Sequence, residues 1–209
     1  MPTIAANYEN RLSADFDWAL REGSMHFDQG NAVFRSLERI TKRLDDLGVP
    51  YALCGGMALF QHGYRRFTED VDLLVTRESL KLIHEKLEGL GYLPPFAGSK
   101  NLRDTATGVK IEFLVTGDYP GDGKPKAIAF PDPKDVAEIV GGIQCLRLKT
   151  LIELKLASGT AAWRLKDLAD VQETIRALDL PLDFSDQLHN FVSQSYRDQW
   201  RAVHSAPTE

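Results

Sequence analysis

Apolar residues recur at helical spacing through "NAVFRSLERITKRLDDLGV", where Val33, Phe34, Leu37, Ile40, Leu44 and Leu47 share one face and Gly48 is placed as the C-terminal stop. The period then shortens. "PYALC" reads as a short buried strand, "GMALFQHG" as a short helix from Gly55-Gly56 to Gly63, and "TEDVDLLV" as a second strand. "RESLKLIHEKLEGLGY" is again amphipathic, through Leu80, Ile83, Leu87 and Leu90, with Gly91 as its end. A strand pair follows: a weaker one around "SKNLRDTA", a turn at Thr107-Gly108, and the stronger "VKIEFLV".

"TGDYPGDGKPKAIAFPDP" is dense in glycine and proline and reads as a loop. Beyond it the pattern is mainly helical, in "KDVAEIV", "LRLKTLIELKLAS", "AAWRLKDLADVQETIRALDL" and "FSDQLHNFVSQSYRDQWRAV". Residues 1–30 carry no sustained period and read as an arm with a short helix around "ADFDWALREG". The predicted class is α/β (α+β): a small mixed twisted sheet with flanking helices over residues 31–130, then a helical C-terminal region over 131–209 packed on that core.

Composition changes this picture little. The 209 residues are 43% hydrophobic and 26% charged, ordinary globular values. The formal net charge of −5 gives no global basic field, so contact with nucleic acid needs a local patch. Arg147, Lys149, Lys155, Arg164 and Lys166 cluster in sequence and supply either such a patch or a solvated helical face. Cys54 and Cys145 are the only cysteines, without histidines at zinc spacing, and Cys54 in "YALC" reads as a small core residue. No apolar run approaches the about 18 residues of a membrane span, and no basic-then-apolar leader is seen; the expected location is the cytoplasm.

Candidate chemistry lies in the charged strand. Alternation places Asp70 and Asp72 on one face, with Val71 and Leu73 on the other, and adds Arg66 and Thr68 to the acidic face if the strand begins that early. Glu112 is a lone carboxylate between Ile111 and Phe113 in "VKIEFLV". Three carboxylates on neighbouring strands repel without a counter-ion, and Mg²⁺ suits a few carboxylates together with substrate phosphates. The competing reading puts the aspartates on the solvated face of an edge strand, paired with Arg65 or Arg66. Gly55-Gly56, between strand and helix, lets the backbone approach a bound group and leaves N–H groups free, a usual setting for phosphate; a plain tight turn is the alternative.

The run Gly55, Gly56, His62, Gly63, Arg66, Thr68, Asp70 and Asp72, followed by the third carboxylate Glu112, resembles the nucleotidyltransferase superfamily of DNA polymerase beta. Within it the run looks most like the bacterial proteins related to the AbiEii toxin of type IV toxin–antitoxin systems. The likeness continues in "LIELKLASGTAAWRLKDLADV" through Lys155, Arg164, Lys166, Asp167 and Asp170, and covers roughly residues 31–175. One departure is Glu112, where many relatives carry aspartate.

The resemblance implies a polymerase beta-like core that transfers a nucleotidyl group from a nucleoside triphosphate (NTP) to a hydroxyl, releasing pyrophosphate. Asp70, Asp72 and Glu112 then hold two Mg²⁺ ions, and Glu112 accepts the hydroxyl proton. Gly55 and Gly56 cradle phosphates, Arg66 and Lys155 neutralise them, Thr68 lies on the nucleotide-binding face, and Asp167 orients Lys155 or meets the nucleoside. The implied acceptor is RNA, tRNA ends in particular, with a cognate antitoxin protein as partner. A small molecule of the aminoglycoside type, an inactive binding or antitoxin-type module on the same fold, and a metal-dependent glycosyltransferase are the alternatives.

Overall fold

The computed structural model describes residues 7–205. The chain opens with two helices, α1 (Tyr8–Ala14) and α2 (Phe16–Phe27), the second capped by Asp15, which accepts from the Trp18 N–H at 3.0 Å. The sequence pattern gave only an arm with a short helix here, because much of what docks this segment is polar. Tyr8, Glu22 and His26 are the buried side chains of the two helices. The Tyr8 hydroxyl donates to Glu22 at 3.0 Å, and Glu22 also accepts from the Ala32 N–H at 2.8 Å. A stripe of that composition has no apolar period to detect.

Asn31 then caps α3 (Ala32–Asp46), accepting from the Phe34 N–H at 3.1 Å, and Gly48 follows with φ +64. β1 (Tyr51–Cys54), fully buried, runs directly into α4 (Gly55–Gln61); β2 (Asp70–Val75) leads to α5 (Arg77–Leu87), whose cap is Thr76. This helix ends before the predicted Gly91, and Leu90 lies outside it at 64% exposure. β3 (Tyr92–Leu93), β4 (Leu102–Asp104) and β5 (Lys110–Val115) complete the first half.

The predicted helix "KDVAEIV" is a correction. Only one turn, α6 (Pro133–Val136), is helical; β6 (Ala137–Val140) and β7 (Ile143–Leu146) follow as a hairpin. Its two-residue turn is Gly141-Gly142, both at positive φ (58° and 83°), the conformation that matches strand twist and that glycine adopts without strain. α7 (Leu148–Ser158), α8 (Leu165–Leu178), a 3₁₀ segment at Leu182–Gln187 and α9 (Asn190–Ser205) close the chain.

The architecture is mixed α/β, as the pattern predicts. Seven strands form one sheet in the order β3-β4-β5-β2-β1-β7-β6. β2 is antiparallel to β1 and parallel to β5, so it is an interior strand and the edge-strand reading of its aspartates is overturned. The β6–β7 hairpin joins through β7 alongside β1, which carries the sheet beyond residue 130. α7 lies between two apolar cores: Leu151 and Leu154 belong to the sheet's core, whereas Ile152 and Leu156 pack with Val171, Ile175, Val192 and Tyr196. A helix buried on both sides reads as continuously apolar, which is why Lys155 stands out within it.

Candidate active site

Parallel pairing of β2 with β5 puts Asp72 directly beside Glu112 in register, and Asp70 lies two residues back on the same face. One carboxylate oxygen from each of Asp70, Asp72 and Glu112 falls within 4.8 Å of the others. β2 begins only at Asp70, so alternation does not extend to Arg66 and Thr68. Both reach the site from the irregular segment before the strand, and the Thr68 hydroxyl donates to Asp70 Oδ1 at 2.9 Å. Lys110 Nζ lies 2.5 Å from Glu112 Oε2. With all three ionised, the carboxylates exceed this one ammonium by two negative charges. Burial, then the charges of Asp70 and Glu112, push the Asp72 carboxyl up to about 8. A group of oxygen donors that resists its own ionisation suits a hard divalent cation.

The two glycines are required by these neighbours. Gly55 has φ +62, and a Cβ there would lie 1.8 Å from Asp72 Oδ2. A Cβ on Gly56 would lie 2.9 Å from both Arg66 Nη2 and Thr68 Oγ1. Any larger residue at either position displaces a site side chain.

Across the cavity stands a second cluster. Lys155 is 6% exposed, and its Nζ donates to Asp170 Oδ2 at 2.7 Å and Asp167 Oδ1 at 3.1 Å. Arg66 lies against Asp170, with Nη2 donating to Oδ2 at 3.0 Å and Nε 2.8 Å from Oδ1. Arg164 Nε and the Ser158 hydroxyl both donate to Asp167 Oδ2, at 2.7 and 2.6 Å. Burial pushes the Asp167 carboxyl up, but Lys155 and the Ser158 hydroxyl outweigh it and hold the group below its ordinary range. Three cations against two anions give this wall a positive excess of one. Lys155, Asp167 and Asp170 are all buried, so this part of the chain is not a solvated helical face.

A cavity of about 850 Å³ joins the two walls, lined by Gly55, Gly56, Arg66, Thr68, Asp70, Asp72, Glu112, Lys155 and Asp167. Lys166 and Asp170 line it as well. Of the basic run, Arg147 and Lys149 are absent from the lining; Lys149 instead pairs with Glu153 at 2.8 Å. His62 donates from Nε2 to the Leu146 carbonyl at 2.7 Å, bracing β7. Sequence reading passed over three parts of the wall: Lys100, the loop residues 117–123 and Trp163. Glycine density in "GDYPGDG" marked the loop as irregular but gave no sign of its place. Cys54 borders the cavity too, but burial and then Asp72 push its thiol well up, so it stays protonated.

Fold and site thus define a mixed α/β protein in which an acidic cluster faces a basic wall across one cavity. No protein-family model matches the chain, and no curated protein matches it. Among solved structures it is similar to ANT(2'')-Ia in complex with adenylyl-2''-tobramycin, at 15% identity and TM-score 0.49, covering 82% of this chain and 98% of that one. It is also similar to JHP933 from Helicobacter pylori, at 16% identity and TM-score 0.45, covering 82% of this chain and 78% of that one. An antigenic nucleotidyltransferase-like protein from Paracoccidioides brasiliensis is similar at 15% identity and TM-score 0.41, covering 81% of this chain and 91% of that one. No helix among the described residues is long and apolar enough to cross a membrane.

Proposed function

We propose that the protein is a metal-dependent nucleotidyltransferase that moves a nucleoside monophosphate from an NTP to a hydroxyl of RNA. The observation that carries this reading is the convergence of Asp70, Asp72 and Glu112 within 4.8 Å at a cavity whose other wall is Arg66, Lys155 and Arg164. An NTP brings both charges that this arrangement lacks: phosphates for the basic wall and, with its Mg²⁺, cations for the acidic one. The sequence resemblance points the same way, and on it we extend the proposal to a toxin-like role with a cognate antitoxin as protein partner.

On this reading Asp70, Asp72 and Glu112 hold the Mg²⁺ ions. Bound there, the metal supplies charge neutralisation on the triphosphate and acidifies the attacking hydroxyl. The hydroxyl oxygen attacks the α-phosphorus, and the bond to the bridging oxygen breaks, so that pyrophosphate leaves. Glu112 takes the hydroxyl proton. Arg66 and Lys155 neutralise the phosphates, while Asp170 and Asp167 hold their side chains in place by the contacts given above. Gly55 and Gly56 keep the backbone low enough for Asp72, Arg66 and Thr68 to lie over it, and leave their N–H groups to the phosphates.

The test is incubation with each α-labelled NTP and total RNA, with Mg²⁺ or with chelator, followed by gel analysis. Label should enter RNA only with Mg²⁺ and fall at least about a hundredfold in Asp70→Ala and Asp72→Ala, as for loss of a metal-holding residue. Labelling that survives both substitutions refutes the assignment.

A further inference from the structure

Trp163 is exposed at 71% on the short connection between α7 and α8. The other two tryptophans are engaged: Trp18 packs edge-on against Tyr8 with Arg11 over its ring, and Trp200 donates to the Leu180 carbonyl and stacks on His204. Trp163 has no such partner among the described residues, yet its backbone is held. The Arg164 N–H donates to the Ala161 carbonyl at 2.9 Å, the Ala161 N–H donates to the Ser158 carbonyl at 3.1 Å, and Ala161 itself is buried. The indole therefore projects from a closed turn at the rim of the same cavity that holds Asp70, Asp72 and Glu112. Arg164 and Lys166, one and three residues further on, line the same cavity, and Lys166 forms no ion pair within 4.0 Å among the described residues.

A large π-face carried on a hydrogen-bonded turn, on the same cavity lining as two cations and left in water, is the arrangement that receives a stacked base with its phosphate. We propose that Trp163, with Arg164 and Lys166 on the same lining, is the nucleobase platform of this cavity. This rests on the nucleotidyltransferase reading and deepens it, since two nucleobases are available to such an enzyme: that of the incoming NTP and that of the terminal nucleotide of the RNA acceptor.

The experiment measures binding of three probes in Mg²⁺ to wild type, Trp163→Ala and Trp163→Phe: an NTP, tripolyphosphate, and a short single-stranded oligoribonucleotide. The fluorescence difference between wild type and Trp163→Phe reports this indole against the two shared tryptophans. The expected result is that at least one base-bearing probe quenches that difference signal and binds about ten- to a hundredfold more weakly to Trp163→Ala, the range found for lost base stacking. Trp163→Phe should recover most of the affinity, and tripolyphosphate should change less than twofold. Loss confined to the NTP assigns the platform to the incoming base; loss confined to the oligoribonucleotide assigns it to the acceptor. Unchanged affinity for both base-bearing probes overturns the proposal, as does equal weakening of tripolyphosphate. A wild type that binds the oligoribonucleotide through Trp163 but neither triphosphate probe sinks the nucleotidyltransferase reading while the platform stands; binding of no base-bearing probe sinks both.

Discussion

Replacing Asp72 by asparagine should stabilise the metal-free protein, although it removes a residue from the site. The carboxylate oxygens of Asp70, Asp72 and Glu112 lie within 4.8 Å of one another. At that separation and an effective dielectric constant of about 20, each like-charged pair costs about 3 kcal/mol. Lys110 beside Glu112 and the ammonium of Lys155 offset part of this. About 5 kcal/mol of relief is then expected once Asp72 is fully ionised, or a Tm rise of about 10–20 °C for a chain of this length. The pH dependence follows from the direction of the shift. The Asp72 carboxyl is raised to about 8, so between about 4 and 8 the folded state holds a proton that the unfolded state has released. Wild type therefore loses stability relative to Asp72→Asn as pH rises through that window, and the gap levels off above it. Thermal melts of both proteins in chelator, from pH 4 to pH 9, measure the gap directly, because every other titrating group is shared. Added Mg²⁺ at pH 8 should raise the Tm of wild type and leave the variant nearly unmoved. A variant no more stable than wild type at pH 8, or a gap independent of pH, refutes the argument that the cluster is electrostatically strained.

Two further predictions concern the scaffold of the site. Gly55→Ala forces a Cβ to 1.8 Å from Asp72 Oδ2 at a φ of +62, so it should lower stability by about 1–3 kcal/mol and weaken Mg²⁺ binding at least tenfold by calorimetry. Lys155→Met keeps the bulk of the side chain but leaves Asp167 and Asp170 without their shared ammonium; urea unfolding should show a loss of about 3–5 kcal/mol, and a loss under 1 kcal/mol would mean that the carboxylates do not depend on it.

Much of the site was legible because its signals are local. Asp70 and Asp72 are two residues apart on one strand, so pleat geometry alone puts them on one face. The double glycine announced an unusual backbone, and Lys155 was visible as a charge in an apolar run. Arg66 would share the acidic face only if that alternation began four residues earlier than it does. It reaches the cavity by another route, from an irregular segment before β2, anchored to Asp170 more than a hundred residues away. No local period encodes such a contact. The N-terminal helices escaped for a related reason: Glu22 and His26 are buried polar groups, and they bury well only because distant partners satisfy them. The hairpin over Ala137–Leu146 escaped because its strands are short and partly exposed, and their strand character comes from pairing with each other and with β1.

By itself the sequence determined the mixed α/β class, the helices with clear apolar stripes, and the shared face of Asp70 and Asp72. Short-range periodicity suffices for each of these. Only the tertiary structure decided that Glu112 stands beside Asp72, that Lys155 is buried between two aspartates, and that Trp163 waits at the rim of the same cavity. Those depend on a parallel strand register and on the packing of α7 between two cores, and both are settled by contacts between residues far apart in the chain.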